Sequence, residues 1–264
     1  MATARGIRAA GGRVACVGLR DQFDPELPAL CDAFAVAGVV RLGRWIRLLR
    51  GWGAAQAVMV GKVHKTRMYD PLRLFKNFPD WRAARLWYVK LRHDKRTDKL
   101  LGALAQELAD SGVILIDSTT YIPELMATTG VLTRRQPTAE QRADIDFALP
   151  VVRRLGELDI GQAMAVKERE VIAVEAIEGT DAMIQRAGQL CKSGGWVLVK
   201  AGKPGQDMRF DVPTLGIRTI EALKIARASC IAVEAGKVIL LDKPDLLAAA
   251  DAAGIALVGV DIGR

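Results

Sequence analysis

The sequence predicts an α/β protein of two α/β domains: an N-terminal Rossmann-like domain with a parallel sheet and a C-terminal domain with a mixed sheet. Three observations carry this. Short apolar runs alternate with helical patterns through the first half. A polar stretch between Gly130 and Pro150 interrupts that alternation. The apolar runs then resume as a strand pair, a buried strand and a hairpin-like pattern. The expected division is 1–130 for the first domain, 131–157 for a linker and 158–264 for a catalytic second domain.

Taken in order, Arg13-VACVGL and Val36 to Leu42 read as strands. A basic helix, Arg44-WIRLLRGWG, closes at Gly51 or Gly53, and Gln56-AVMVGKV is a third strand. Leu100, Leu104 and Leu108 set a helix over Thr97 to Ser111, followed by the strand Val113-ILID. Thr138 with Gln141 has the spacing of a capping box. Beyond it come strands over Gln162 to Val166 and Val171 to Ala176, and a helix from Thr180 or Asp181 to Cys191. Trp196-VLVKA, a helix over Thr219 to Ala228, a hairpin at Ile231-AVEAGKVILLD, a helix over Lys243 to Ala253 and the strand Ile255-ALVGV complete the chain.

The chain has 264 residues, 50% of them hydrophobic and 26% charged, so it can bury a sizeable core. No run of eighteen apolar residues occurs, which gives no membrane-spanning helix. Met1 to Gly12 lacks the apolar segment of a secretory signal. Cys16, Cys31, Cys191 and Cys230 sit in apolar contexts without a C-x-x-C pair, so reduced thiols and a cytoplasmic setting are expected. The net charge of +8 is uneven: Arg41 to Lys99 holds sixteen Lys/Arg against four Asp/Glu. A basic first half that attracts anions thus faces a mildly acidic second half.

Within that basic half, Leu72 to Arg92 interleaves aromatic residues with arginines and lysines. Three readings fit: a helix packed on its own domain, an interfacial element on anionic lipid, and a nucleic-acid surface. No helix-turn-helix, RNP or zinc pattern supports nucleic acid.

Asp159 to Pro213 mixes carboxylates, lysines, one arginine and glycines with short apolar runs. On an extended loop Asp207, Arg209 and Asp211 would point the same way. Two carboxylates suffice for Mg²⁺, because water and phosphate oxygens fill its other positions. Lys200 and Lys203 flank this loop and can neutralise phosphate. The alternative is a surface loop with internal salt bridges. Thr180 reads as an N-cap and Asp181 suits the helix dipole, although the same helix start could take phosphate. Glu175 and Glu178 close a strongly apolar strand, and Asp159 with Gln162 reads either as a turn or as a pair of polar ligands. His64 and His93 are the only histidines, which excludes a His-based zinc site or a Ser-His-Asp triad built within the second half. H-E-x-x-H, G-x-S-x-G and P-loop patterns are absent.

The blocks EAIEGTDAM, VLVKAGKPGQD and RFDVPT between Lys167 and Pro213 resemble the magnesium-dependent UDP-2,3-diacylglucosamine pyrophosphatase family of lipid A biosynthesis, the type unrelated to calcineurin-like phosphoesterases. Asp98-KLL, Gly130-VLT, Asp144-ID, Leu158-DIGQA, Thr219-IEA and Ala232-VEAG extend the similarity from about Val14 to the C-terminus. The resemblance implies hydrolysis of UDP-2,3-diacylglucosamine to UMP and 2,3-diacylglucosamine 1-phosphate, with the lipid-linked UDP-sugar bound between two domains. By similarity the essential aspartate is Asp207 or Asp211, and the expected Mg²⁺ ion is held by Asp207, by Asp211 or by both, with Glu178 as a further candidate ligand. Lys200, Lys203 and Arg209 would meet the phosphates, while Gln162, Glu178, Gly179, Thr180, Asp181 and Lys62 would contact substrate. In a cytoplasmic enzyme of this kind the basic aromatic half, with the segment 72–92, would receive the acyl chains or sit on the inner membrane surface. The family's opening strand and glycine-rich loop have no counterpart before Thr3 to Gly12. Either the start is drawn too late or this member lacks its first strand, and that loop would be expected to help hold the nucleotide.

Overall fold

A computed structural model describes residues 1–61, 78–92, 97–210 and 212–262. The chain forms two compact units. The first is Met1–Ile122 together with Met208–Phe210, and the second is the remainder from Pro123 onward.

In the first unit, helix α1 (Ala2–Ala9) leads into strand β1 (Ala15–Leu19), which pairs in parallel with β2 (Ala33–Ala37) from Ala15↔Ala33 to Leu19↔Ala37. β2 therefore lies earlier than the strand expected at Val36 to Leu42. Leu42 instead opens helix α2 (Leu42–Gly51), because Leu42 and Ile46 stand four apart on its buried face. The Trp45 indole N–H donates to the Gly38 carbonyl at 2.9 Å and secures the turn between the two elements. β3 (Gln56–Ala57) pairs in parallel with β4 (Ile114–Leu115). The rest of the strand expected after Gly61 lies outside the described residues.

Helix α3 (Trp81–Arg85) begins at Asp80, whose carboxylate accepts the Ala83 N–H at 3.0 Å and the Gly43 N–H at 2.6 Å. It runs on as a π-helical turn over Leu86–Lys90. Helix α4 (Thr97–Ala109) precedes β4. Leu86, Leu91, Leu108, Val113 and Leu115 bury together with Leu42 and Ile46, and Phe210 completes this core.

The second unit is a three-layer α/β/α arrangement. Its six-stranded sheet has the order β5-β12-β10-β8-β6-β7. These strands are β5 (Gly130–Val131), β6 (Ala163–Lys167), β7 (Glu170–Val174), β8 (Val197–Lys200), β10 (Cys230–Glu234) and β12 (Ala256–Val260). β8, β10 and β12 are parallel, while β5 and β6 join antiparallel. Near-continuous apolar sequence suits these central strands because both faces are covered. Helix α5 (Ala139–Glu157) covers one face with Ile145, Ala148 and Val152. Helices α6 (Thr180–Leu190), α7 (Ile217–Ile225) and α8 (Lys243–Ala252) cover the other with Met183, Ile184, Ile220, Leu223 and Leu246.

Two expectations change here. The stretch 131–157, expected as a linker, contains α5, whose Thr138–Gln141 capping box is formed and whose apolar stripe packs on the sheet. The compact division falls earlier, between Ile122 and Pro123. The hairpin expected over Ile231 to Asp242 is absent. β10 pairs with β8 and β12, whereas β11 (Ile239–Leu240) pairs in parallel with β9 (Thr214–Leu215). A turn signal around Gly236, at φ +70°, reverses the chain without joining the flanking runs. All four cysteines are free, and Cys230 is fully buried.

Candidate functional site

β7 runs antiparallel to β6, and β6 antiparallel to β8, so β7, β8, β10 and β12 end at one edge of the second unit's sheet. That carboxyl edge is where α/β sheets receive ligands. Glu175 follows β7, Lys200 ends β8 and Glu234 ends β10.

Glu175 and Lys200 are only 7% and 5% exposed, yet both carry charge-bearing side chains. Thr180 joins them. Its hydroxyl donates to Glu175 Oε1 at 2.8 Å and accepts from Lys200 Nζ at 2.8 Å. The second carboxylate oxygen of Glu175, Oε2, is buried without a hydrogen-bond partner. Thr180 does not cap its helix, contrary to expectation. Gly179 holds the N-cap at φ +84°, a conformation that favours glycine, and this frees the Thr180 hydroxyl for the buried pair. Asp181 lies exposed in the first turn of α6. The N–H groups of that turn have no intrahelical acceptors, so the helix start and Lys200 together offer positive potential to an anion.

The loop after β8 is held from several sides. Glu234 Oε2 accepts the Gly202 N–H at 2.7 Å. Gln206 Oε1 accepts the Lys203 N–H at 2.9 Å, and the Lys203 carbonyl accepts the Gln206 N–H at 3.0 Å. Gly156 of α5 lies so close that an added Cβ would come within 3.1 Å of Pro204 Cδ. The Lys203 ammonium is ion-paired to Asp159, so Asp159 steadies the loop's lysine. Gln162 stands one residue before β6, and its side-chain oxygen is buried without a partner.

Asp207 is partly buried at the end of this loop. Arg209 does not continue an extended strand. Met208 and Arg209 occupy a turn, so the extended alternation expected from Asp207 to Arg209 is not formed. In the first unit, the Met208 carbonyl accepts both the backbone N–H and the hydroxyl of Ser118 at 2.9 Å each. The Arg209 guanidinium lies 5.3 Å from the centre of the Phe210 ring. Asp211 and Lys62 lie outside the described residues, as do His64, His93 and the segment 72–77.

Glu178 does not fit as a metal ligand. One oxygen pairs with Arg186 at 2.6 Å and the other accepts the Ala176 N–H at 3.2 Å. Its own backbone N–H, then Arg186, hold its carboxyl below the usual glutamate range. Arg186 also donates to the Val174 carbonyl at 2.8 Å, so this pair ties α6 to β7. Among the described residues no group of three or more His, Cys, Asp or Glu side chains is gathered to hold a metal ion. Asp207 supplies a carboxylate of the kind Mg²⁺ accepts.

Sequence reasoning picked out Lys200, Thr180 and Gln162 and noted Glu175 beside Glu178, but it gave the site role to Glu178 and none to Glu175 or Glu234. The signal available for Glu175 was its position at the end of an apolar strand.

These features define a two-unit α/β protein whose second unit carries a polar, anion-receptive sheet edge. Residues 1–125 match the family model of the LpxI N-terminal domain, and residues 128–258 that of the LpxI C-terminal domain. The chain is 34% identical over 261 residues to the UDP-2,3-diacylglucosamine pyrophosphatase LpxI of Caulobacter vibrioides, covering 96% of this chain and 90% of that protein. The chain belongs to the LpxI family.

Proposed function

We propose that the protein hydrolyses the pyrophosphate bond of UDP-2,3-diacylglucosamine. Water adds to one phosphorus and the bridging P–O bond breaks, giving UMP and 2,3-diacylglucosamine 1-phosphate for lipid A biosynthesis. The observation that carries this reading is the 34% identity, maintained over nearly the whole chain, to a protein bearing that activity's name. The sheet edge supports it: Lys200 and the start of α6 supply the positive charge a diphosphate needs.

Lys203 and Arg209 add charge that favours the phosphates as the bond breaks, and a carboxylate of Asp207 or Asp211 accepts the proton of the attacking water. Asp207, Asp211 or both would hold a Mg²⁺ ion, which would supply charge neutralisation at the phosphoryl oxygens. Gln162, with its buried free acceptor, contacts substrate. Release of UMP with Mg²⁺ and its loss in EDTA test this reading. A chain that binds the substrate and never releases UMP is a lipid or nucleotide-sugar binding protein instead.

The same reading places the protein in the cytoplasm, against the inner membrane surface. No described helix is long and apolar enough to cross a membrane. Trp81, Arg85 and Tyr88 lie exposed along α3 and the π-helical turn that follows it, with Trp81 81% and Tyr88 66% exposed. Arg41, Arg44, Arg47 and Arg50 are exposed at every third position on and before α2. A cleft of about 620 Å³, lined in part by Arg47, Arg50, Trp81 and Arg82, joins the two rows. Aromatic rings beside arginines suit headgroup depth in an anionic bilayer. Co-sedimentation with phosphatidylglycerol vesicles, but not with phosphatidylcholine vesicles, is expected, with loss in Trp81→Ala/Tyr88→Ala. Equal binding to both lipids, or binding to nucleic acid alone, overturns the membrane contact.

A further inference from the structure

We infer that Glu175 has two duties at the sheet edge: one carboxylate oxygen positions Lys200 through Thr180, and the other receives a hydrogen-bond donor of the bound substrate. This rests on the proposed reaction for the identity of the substrate, and on the second unit's geometry for the rest.

The first duty follows from the bonding order. Lys200 Nζ can only donate, so the Thr180 oxygen must accept from it, and the Thr180 proton must then point elsewhere. Glu175 Oε1 takes that proton at 2.8 Å. The carboxylate thus fixes the hydroxyl rotor, and the rotor fixes one direction of the ammonium. Any neutral apolar residue at 175 leaves the rotor unset.

The second duty follows from Oε2. It is a buried carboxylate oxygen with no partner; among the described residues only Gln22 Oε1 and Gln162 Oε1 are buried side-chain oxygens in the same position, and neither belongs to a carboxylate. An ionised carboxylate accepts only, so what meets it must carry a hydroxyl or an N–H. It repels a phosphate. The edge is therefore divided: Lys200 and the α6 start favour the phosphate, while Glu175 favours the donor-bearing ring beside it. Two rings of the proposed substrate qualify: the uridine, through its imide N–H or ribose hydroxyls, and the glucosamine, through its free hydroxyls.

Calorimetric binding of UMP and of glucosamine 1-phosphate separates these sources. Glu175→Gln keeps the size and lets one oxygen hold Thr180, but its amide NH₂ then faces a donor. It should weaken one of the two ligands by about tenfold or more, the scale of losing a hydrogen bond to a charged group, with an unchanged melting temperature. The ligand affected names the ring. Thr180→Val should lower kcat more than it raises KM, and Thr180→Ser, which keeps the hydroxyl, should recover most of that loss. If Glu175→Gln does not fold, the Thr180 pair and Glu175→Asp carry the test. Affinities and kcat/KM within twofold of wild type in Glu175→Gln and Thr180→Val overturn the inference and leave the reaction standing. Weakened ligand binding in Glu175→Gln, in a wild-type protein that releases no UMP, upholds the inference and overturns the reaction.

Discussion

Gly161 lies directly against the backbone of Glu175: a Cβ on Gly161 would stand 2.8 Å from the Glu175 carbonyl carbon and closer still to its oxygen. The Glu175 N–H meanwhile donates to the Ala163 carbonyl at 2.8 Å. The exit of β7 is thus held on two sides, and the carboxylate inherits that precision. Gly161→Ala should cost about 1–3 kcal/mol, as overpacking does, and should lower kcat/KM beyond what the melting temperature explains. Urea unfolding beside steady-state turnover checks both. An Ala variant with wild-type stability and turnover would show that β7 yields freely.

Asp207→Ala and Asp211→Ala should each lower turnover by about a hundredfold or more, the scale of losing a base or a key electrostatic contact. Glu178→Gln should stay within a few-fold, because Glu178 is committed to Arg186 and the Ala176 N–H. UMP release at saturating substrate measures all three. A collapse of activity in Glu178→Gln with both aspartate variants active would reverse the assignment.

Phe210 is buried in the first unit's core with Leu42, Ile46 and Leu115. Phe210→Ala should destabilise by about 3–5 kcal/mol through lost burial and the cavity left behind. Denaturant unfolding followed by tryptophan fluorescence reports it, since Trp45 and Trp87 pack on that core.

Burial pushes the Cys230 thiol up to about 12 and the Cys16 thiol to about 11. The folded values are raised, so the stability they give is complete below the ordinary thiol range and is lost as pH climbs from there towards the folded values. Unfolding free energy should fall by up to about 1.4 kcal/mol per pH unit for each such thiol in that window. Cys230→Ala should flatten this alkaline decline, and a slope identical to wild type would contradict it.

Much of the second unit was legible because its signals are local. The capping box at Thr138 and Gln141, the apolar runs of β8, β10 and β12 and the helix after Gly179 stand where the pattern put them. The failures were those of partner choice. Nothing in Val233 to Leu240 tells whether two runs flanking a turn pair with each other or with different neighbours. Glu175 and Glu178 look alike in sequence, and only the path of the chain through Gly179 buries one and leaves the other with Arg186. The expected alternation of Asp207 and Arg209 assumed extended backbone, whereas the chain turns there to deliver Met208 to Ser118 and Phe210 to a core.

The first unit is therefore not a contiguous stretch of gene. A fragment ending near residue 125 would omit the aromatic plug and the carbonyl that Ser118 grips, leaving a hole where three distant residues belong. Such a piece should express as a loosened, dye-binding species. It should tighten when a peptide spanning 201–213 is supplied in trans, which makes this short return a natural place to divide the protein into complementing parts.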